Sequence, residues 1–313
     1  MDRTWKDLSR WIGALAALLA LFAAGTLRAQ SAERAGKDSF GLLVMAHGGS
    51  KEWNESVLEA VEQLQAPYPV AVAFGMADAC SIQKEVRSLE EKGVRNVGVV
   101  RLFISGESWY ERTEQILGLR DGAPPASEGA SECAGDHAGH AGHHSMALFR
   151  IDSQASFVLS KEGLSEAPEI GAILAERAAA LSREPKKEDV LVLAHGPGDD
   201  EENKRWLAHM EKRVAEVKTS RPYHTVGVMT LREDWPEKRK PAEEQIRAFV
   251  TQASSAGRRV IVIPFRLSGF GPYAEVLAGL DYEADRSGLL PHDNVVRWIS
   301  RQAEELRGRV ARP

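Results

Sequence analysis

Leu43-Val44-Met45-Ala46-His47-Gly48 returns further along the chain as Leu191-Val192-Leu193-Ala194-His195-Gly196. In each copy a short apolar run stops at a histidine followed by glycine. Such a run suits a strand buried on both faces, and the residue after it emerges at the carboxyl edge of the sheet, where open α/β sheets place their ligands. The repetition predicts two related lobes, each with a histidine at the same position.

Outward from the first copy, Trp53, Val57, Leu58, Val61 and Leu64 recur at helical spacing until Pro67 and Pro69 end the run. Val70 to Phe74 reads as a second strand. Ser81 to Lys92 reads as a second helix closed by Gly93, and Val97 to Ile104 as a third strand ending at Ser105-Gly106. The second half keeps this order. It offers a helix carrying Trp206, Met210, Val214 and Val217, a strand from Thr225 to Met229, a helix from Ala242 to Ala256, and a strand from Val260 to Leu267 ending at Ser268-Gly269. Ser105-Gly106 and Tyr110 match Ser268-Gly269 and Tyr273 in spacing. Glu162-Gly163-Leu164 with Ile170 and Ile173 matches Ser287-Gly288-Leu289 with Val295 and Trp298. Strand–helix alternation of this kind implies parallel sheets covered by helices on both faces. The expected fold is α/β: two lobes, each a parallel β-sheet flanked by helices, related by internal duplication. Residues 38–181 make the first lobe and 188–308 the second, divided in the polar stretch from Ser182 to Asp189.

A chain of 313 residues can bury a core in each lobe. Its net charge of -5, with no long Lys/Arg stripe, argues against a nucleic-acid partner. Arg3, Lys6 and Arg10 precede an apolar run from Trp11 to about Gly25, and small residues follow around Ala29 and Ala32. That pattern predicts an export signal over residues 1–30 and a periplasmic or otherwise exported protein. The run is shorter than the ~20 residues of a spanning helix, so the membrane would be met only through the signal or as an uncleaved anchor. Cys80 and Cys133 are the only cysteines, and the sequence leaves open whether they pair or stay free. Residues 118–146 interrupt the first lobe with a Gly/Ala/Ser/Pro-rich insertion that carries His137, His140, His143 and His144. Neutral imidazoles suit first-row metals, but a glycine-rich backbone preorganises no geometry. The segment reads either as a weak metal-collecting loop or as an inert low-complexity tract.

Several stretches together resemble the sirohydrochlorin chelatase family, the small cobalt- and ferro-chelatases. They are His47-Gly48-Gly49-Ser50 after the first strand, Ala73-Phe74-Gly75-Met76-Ala77-Asp78 before Ser81-Ile82, Gly93-Val94 leading into Val100-Arg101-Leu102-Phe103-Ile104, and Gly288-Leu289-Leu290-Pro291-His292. The resemblance implies four-stranded parallel sheets facing each other across a tetrapyrrole cleft. It also implies a divalent metal as substrate (Co2+ or Fe2+, with Ni2+ or Zn2+ as further candidates), a tetrapyrrole small molecule as partner, and no organic cofactor. The family places one histidine after the first strand, matched here by His47 and again by His195. It places a second histidine two residues beyond the glycine ending the third strand, where this sequence has Ser108 and Gly271.

Metal insertion requires two pyrrole N–H protons to leave and a partly desolvated ion to reach the ring centre. A neutral imidazole can take a proton or hold a first-row metal, and a nearby carboxylate can do either. His47, His195 and Glu107, which sits beside the altered Ser108 position, are the expected catalytic residues. His47, His195 and the four insertion histidines are the expected metal ligands. Asp199-Asp200-Glu201-Glu202 reads as a solvated helix start, where acids are favoured by the helix dipole. Tyr110 and Tyr273 read as packing residues. The altered second-histidine positions, the signal and the histidine-rich segment also fit a non-enzymatic periplasmic metal- or tetrapyrrole-binding protein on the same scaffold. A hydrolase is disfavoured, since Gly106-Glu107-Ser108-Trp109-Tyr110 lacks the second glycine of a nucleophile elbow.

Overall fold

The computed structural model describes residues 39–129, 133 and 146–310. The expected signal over residues 1–30 and the candidate ligands His137, His140, His143 and His144 lie outside the described residues. β1 (Phe40–Ala46) pairs in parallel with β2 (Val70–Phe74) and β3 (Asn96–Leu102), and β4 (Ser156–Leu159) joins β3 in the order β2-β1-β3-β4. β5 (Glu188–Ala194), β6 (Thr225–Thr230), β7 (Arg259–Pro264) and β8 (Glu283–Ala284) repeat that topology as β6-β5-β7-β8. The two central strands are the repeated apolar runs, and both are buried at every residue. The helices are α1 (Lys51–Glu62), α2 (Ala79–Glu91), α3 (Tyr110–Ile116), the single turn α4 (Ala126–Gly129), α5 (Glu169–Leu181), α6 (Asp200–Ser220), α7 (Pro236–Ser255), α8 (Tyr273–Val276) and α9 (Asp293–Val310). Among the described residues no helix is long and apolar enough to cross a membrane.

Strand alternation builds the layers. Phe40, Leu42, Val44 and Ala46 of β1 and Val190, Val192 and Ala194 of β5 turn inward, where they share one continuous core with α1, α5, α6 and α9. Leu43 and Met45 turn outward under α2, and Leu191 and Leu193 turn outward under α7 and α8. Two sheets therefore sandwich an inner layer of helices, and each outer face is covered. The inner helices cross over. α5 packs on α6 and β7, whereas α9 packs on β3, β4, α1 and α5, so each helix following a fourth strand covers the opposite sheet. Arg301 of α9 ties this seam with bonds of 2.6 Å to Glu162 and 2.7 Å to Glu169, and the Trp298 indole N–H donates to Glu162 at 2.7 Å.

α7 starts at Pro236 rather than Ala242. Proline fits the first helical position because its missing N–H is unused there, so Pro241 sits inside the second turn instead of opening the helix. Cys80 at the start of α2 is disulfide-bonded to Cys133, with 5.4 Å between the Cα atoms, which ties the insertion to the first lobe.

Gly48 and Gly196 both take left-handed φ angles, 81° and 77°. The chain turns sharply there, leaving each histidine as the last side chain at its sheet edge. A Cβ on Gly196 would lie 2.6 Å from the Thr230 Cβ, whereas one on Gly48 would lie 3.3 Å from the Phe74 Cβ. Gly196→Ala is expected to lower stability by more than about 1 kcal/mol, and by more than Gly48→Ala, because it adds a clash with the Thr230 β-carbon to the left-handed strain. Thermal unfolding of the two variants measures the order.

Candidate functional site

The carboxyl edges of both sheets open into a cavity of about 780 Å³ between the lobes, within the roughly 300–1,000 Å³ usual for small-molecule sites. His47, His195 and Glu107, singled out from the sequence on separate grounds, all line it. Trp53, Trp109, Trp206 and Trp235 form much of its wall. Trp109 holds a left-handed φ of 59° just before α3, a strained conformation for a bulky residue, and it presents its side chain to the cavity.

The two histidines have different surroundings. The Nδ1–H of His47 donates to the Gly48 carbonyl at 2.7 Å, since a carbonyl can only accept, which leaves Nε2 with its lone pair. His195 instead meets carboxylates. Its Nε2–H donates to Asp234 Oδ2 at 2.8 Å, and Glu233 Oε1 lies 3.7 Å from the same nitrogen. One ligand atom from each of His195, Glu233 and Asp234 falls within 4.8 Å of the other two. An imidazole and two carboxylates suit a first-row divalent ion, with open positions remaining for a substrate. Arg266 anchors the cluster from behind, its Nη1 lying 3.0 Å from both Glu233 oxygens.

Glu233 and Asp234 were not singled out from the sequence. The available signal was their place: two adjacent acids directly after the strand beside the one that ends in His195. The first lobe shows why the pattern is not a simple repeat. Gly75 and Leu231 donate to equivalent carbonyls, Ala46 and Ala194, at 2.9 Å each, which aligns Ala77 with Glu233 and Asp78 with Asp234. Asp78 is buried and caps α2, accepting from Ser81 and Ala147 backbone N–H groups at 2.9 and 3.0 Å. Among the described residues the metal-competent donor set therefore exists in the second lobe, with no counterpart in the first.

Glu107 reaches across the cleft. It receives a bidentate pair of 2.6 Å hydrogen bonds from Arg205 of α6, which hold its carboxyl below the usual carboxylate range. Both partners are about half exposed, so the latch is a weak, solvent-screened contact. The Asp199–Glu202 run is more than a solvated helix start. Asp199 caps α6 by accepting from the Glu202 N–H at 2.7 Å, and both side chains line the cavity. Burial pushes the Glu202 carboxyl above the ordinary carboxylate range, with the charges of Glu107 and Asp199 acting the same way and the Trp206 indole N–H, at 3.2 Å, opposing them.

Ser108 lines the cavity, and its carbonyl accepts from the buried Arg101 guanidinium at 2.6 Å. Gly271 packs against Arg266, where a Cβ would approach the guanidinium to 2.8 Å, so arginine occupies the space beside the second lobe's altered position. Tyr273 is fully buried, with Arg266 over its ring, while Tyr110 lies under Arg101 and borders a neighbouring cavity. His209, His224 and His292 pair with Glu166, Asp189 and Glu176.

Among solved structures, the chain is similar to the SirB protein of Bacillus subtilis with Fe3+, at a TM-score of 0.58 and 12% identity, covering 86% of this chain and 95% of that one. A cobalt complex of the sirohydrochlorin chelatase SirB from Bacillus subtilis subspecies spizizenii gives a TM-score of 0.55 at 13% identity, covering 86% and 96%. A multi-domain protein of Deinococcus radiodurans with structural similarity to chelatases gives 0.53 at 17% identity, covering 86% of this chain. The chain spans about half, 55%, of that larger protein. No family model matches the chain. No curated protein is similar to it in sequence. The class defined by these observations is a two-lobed α/β protein with the chelatase-like fold.

Titration of the metal-free protein with Co2+ or Zn2+ is expected to show a site that His195→Ala, Glu233→Gln and Asp234→Asn each weaken by at least about ten-fold. Isothermal titration calorimetry of each variant measures the affinities.

Proposed function

We propose that the cleft inserts a divalent metal, Co2+ or Fe2+, into a tetrapyrrole. The observation that carries this reading is the meeting of both strand-end histidines with the His195–Glu233–Asp234 cluster in one tryptophan-walled cavity. The likeness of fold to SirB, whose structures hold iron or cobalt, supports it.

In this mechanism the second lobe holds the substrate metal and the first lobe faces it across the ring. The tryptophan walls take the flat macrocycle between them. Two metal–nitrogen bonds replace two pyrrole N–H bonds, and two protons leave. His47 Nε2, with its free lone pair, accepts one. Glu202 is better suited than Glu107 to accept the other, because Glu107 is engaged by Arg205 whereas Glu202 combines cleft exposure with a raised pKa. A base must be deprotonated to act, so the rate should rise with pH through the Glu202 pKa, which lies above the ordinary carboxylate value. Anaerobic incubation with sirohydrochlorin and Co2+ or Fe2+, followed by absorption, is expected to show insertion above background. Loss of about 10²-fold or more in His195→Ala, and disappearance of the acid limb of the pH profile in Glu202→Gln, are the expected results.

A second reading is a metal- or tetrapyrrole-binding protein without turnover. Its support is that neither lobe has the family's second histidine, Arg266 standing close to Gly271 and Ser108 at the other position. A shifted tetrapyrrole spectrum with no insertion would establish it.

We further propose that the protein is exported, in keeping with the signal pattern in residues 1–30. The Cys80–Cys133 bond supports this, since disulfides persist in oxidising compartments. Protein recovered from the periplasm should lack about 30 N-terminal residues by mass. It should titrate for no free thiol, and two free thiols there would overturn the proposal.

A further inference from the structure

We infer that Arg266 keeps the His195–Glu233–Asp234 site weak and exchangeable, so that a divalent ion held there is handed on rather than stored. This deepens the insertion reading above, and it rests on that reading only for the identity of the acceptor.

Geometry is the first ground. Arg266 Nη1 lies 3.0 Å from both Glu233 oxygens, so whichever oxygen takes an ion must share its carboxylate with a guanidinium. With a metal–oxygen bond of about 2.1 Å, the ion would sit within roughly 5 Å of that nitrogen. Two effects then lower affinity together: the guanidinium draws charge from the ligand, and it repels the ion directly. A neutral hydrogen-bond partner behind a ligand does the reverse, orienting it and raising affinity. Arg266 is also held in place. Its guanidinium carbon stands 5.7 Å from the centre of the Tyr273 ring, and the group fills the space beside Gly271. Tyr273 is fully buried, and burial raises its pKa, so the phenol stays neutral and supplies no counter-charge.

Burial is the second ground. The Glu233 side chain is 13% exposed, whereas that of Asp234 is 66% exposed. An ion leaving toward a ring would strand Glu233 as an uncompensated charge in a poorly solvated place, a strongly unfavourable state. Arg266 removes that penalty, because the emptied carboxylate already has its counter-ion. Among the described residues it is the single arginine or lysine lining the cavity. The same cation therefore weakens the loaded site and stabilises the vacated one, and both effects favour release.

The test is titration of the full chain with Co2+ at neutral pH, followed by transfer of the bound ion to a soluble chelator. The binding lost in His195→Ala defines the site and sets aside Co2+ taken up elsewhere. Arg266→Gln, which keeps a hydrogen-bond donor and loses the charge, should bind Co2+ there about ten-fold more tightly and release it more slowly by a similar factor. Arg266→Met, which keeps the apolar stem against Tyr273, gives the same reading if the glutamine variant does not fold. Arg266→Lys, which keeps the charge, should restore much of the wild-type release. Adding Glu233→Gln to Arg266→Gln should abolish the gain, since the effect runs through that carboxylate. Unchanged or weaker binding in the charge-free variants, or release at the wild-type rate, overturns the inference and leaves Arg266 as a residue that only positions Glu233. No tetrapyrrole enters this test, so tightened Co2+ binding without any insertion by the wild type would refute the insertion reading and leave the inference standing.

Discussion

The inner core shared by the two sheets is the constraint from which the site follows. Val44 and Val192 face inward from the two central strands, and α5 and α9 cross between lobes to fill the space between them. Because each sheet's inner face is completed by a helix from the other half of the chain, the lobes cannot pack independently. Their carboxyl edges are thereby fixed toward one cavity, with His47 and His195 at its two sides. Binding groups at strand ends borrow their precision from the buried strands behind them, and here those strands have no exposed residue.

Across that seam the polar contacts divide by burial. Glu162 and Glu169 hold Arg301 where side chains are only about a fifth to a third exposed, next to the fully buried Trp298. The Glu107–Arg205 pair spans the cleft mouth where both side chains are about half exposed. The first set stitches the lobes permanently. The second is a weak, screened contact that contributes little to the architecture.

What was legible in the sequence follows from periodicity. Two buried strands with a histidine and a left-handed glycine are written contiguously, and α6 is announced by Trp206, Met210, Val214 and Val217, the four residues it buries. β4 and β8 are short and only partly buried, so no apolar alternation betrays them. The crossing of α5 and α9 is a tertiary fact that two matching helical patterns cannot reveal. Glu202 and Glu107 were visible as acids near helix starts, but which one is engaged depends on Arg205, nearly a hundred residues from Glu107 in the chain. Glu233 and Asp234 escaped because a repeat-based comparison looks for what both lobes have, and their site is present in one.

That asymmetry is what the proposed insertion calls for. A symmetric pair of donor clusters would compete for the same ion and leave no group to take protons from the opposite face of a ring. In the first lobe the position of Asp234 is filled by Asp78, turned inward to cap α2 and bind the Ala147 N–H, so it is withdrawn from the cavity. His47 is left beside it with a free Nε2 and no carboxylate partner among the described residues. In the second lobe the corresponding loop keeps both acids at the edge, and the partly buried Arg266 holds one of them in place. The two lobes thus present different donors at their sheet edges, a single imidazole on one side and an imidazole with two carboxylates on the other.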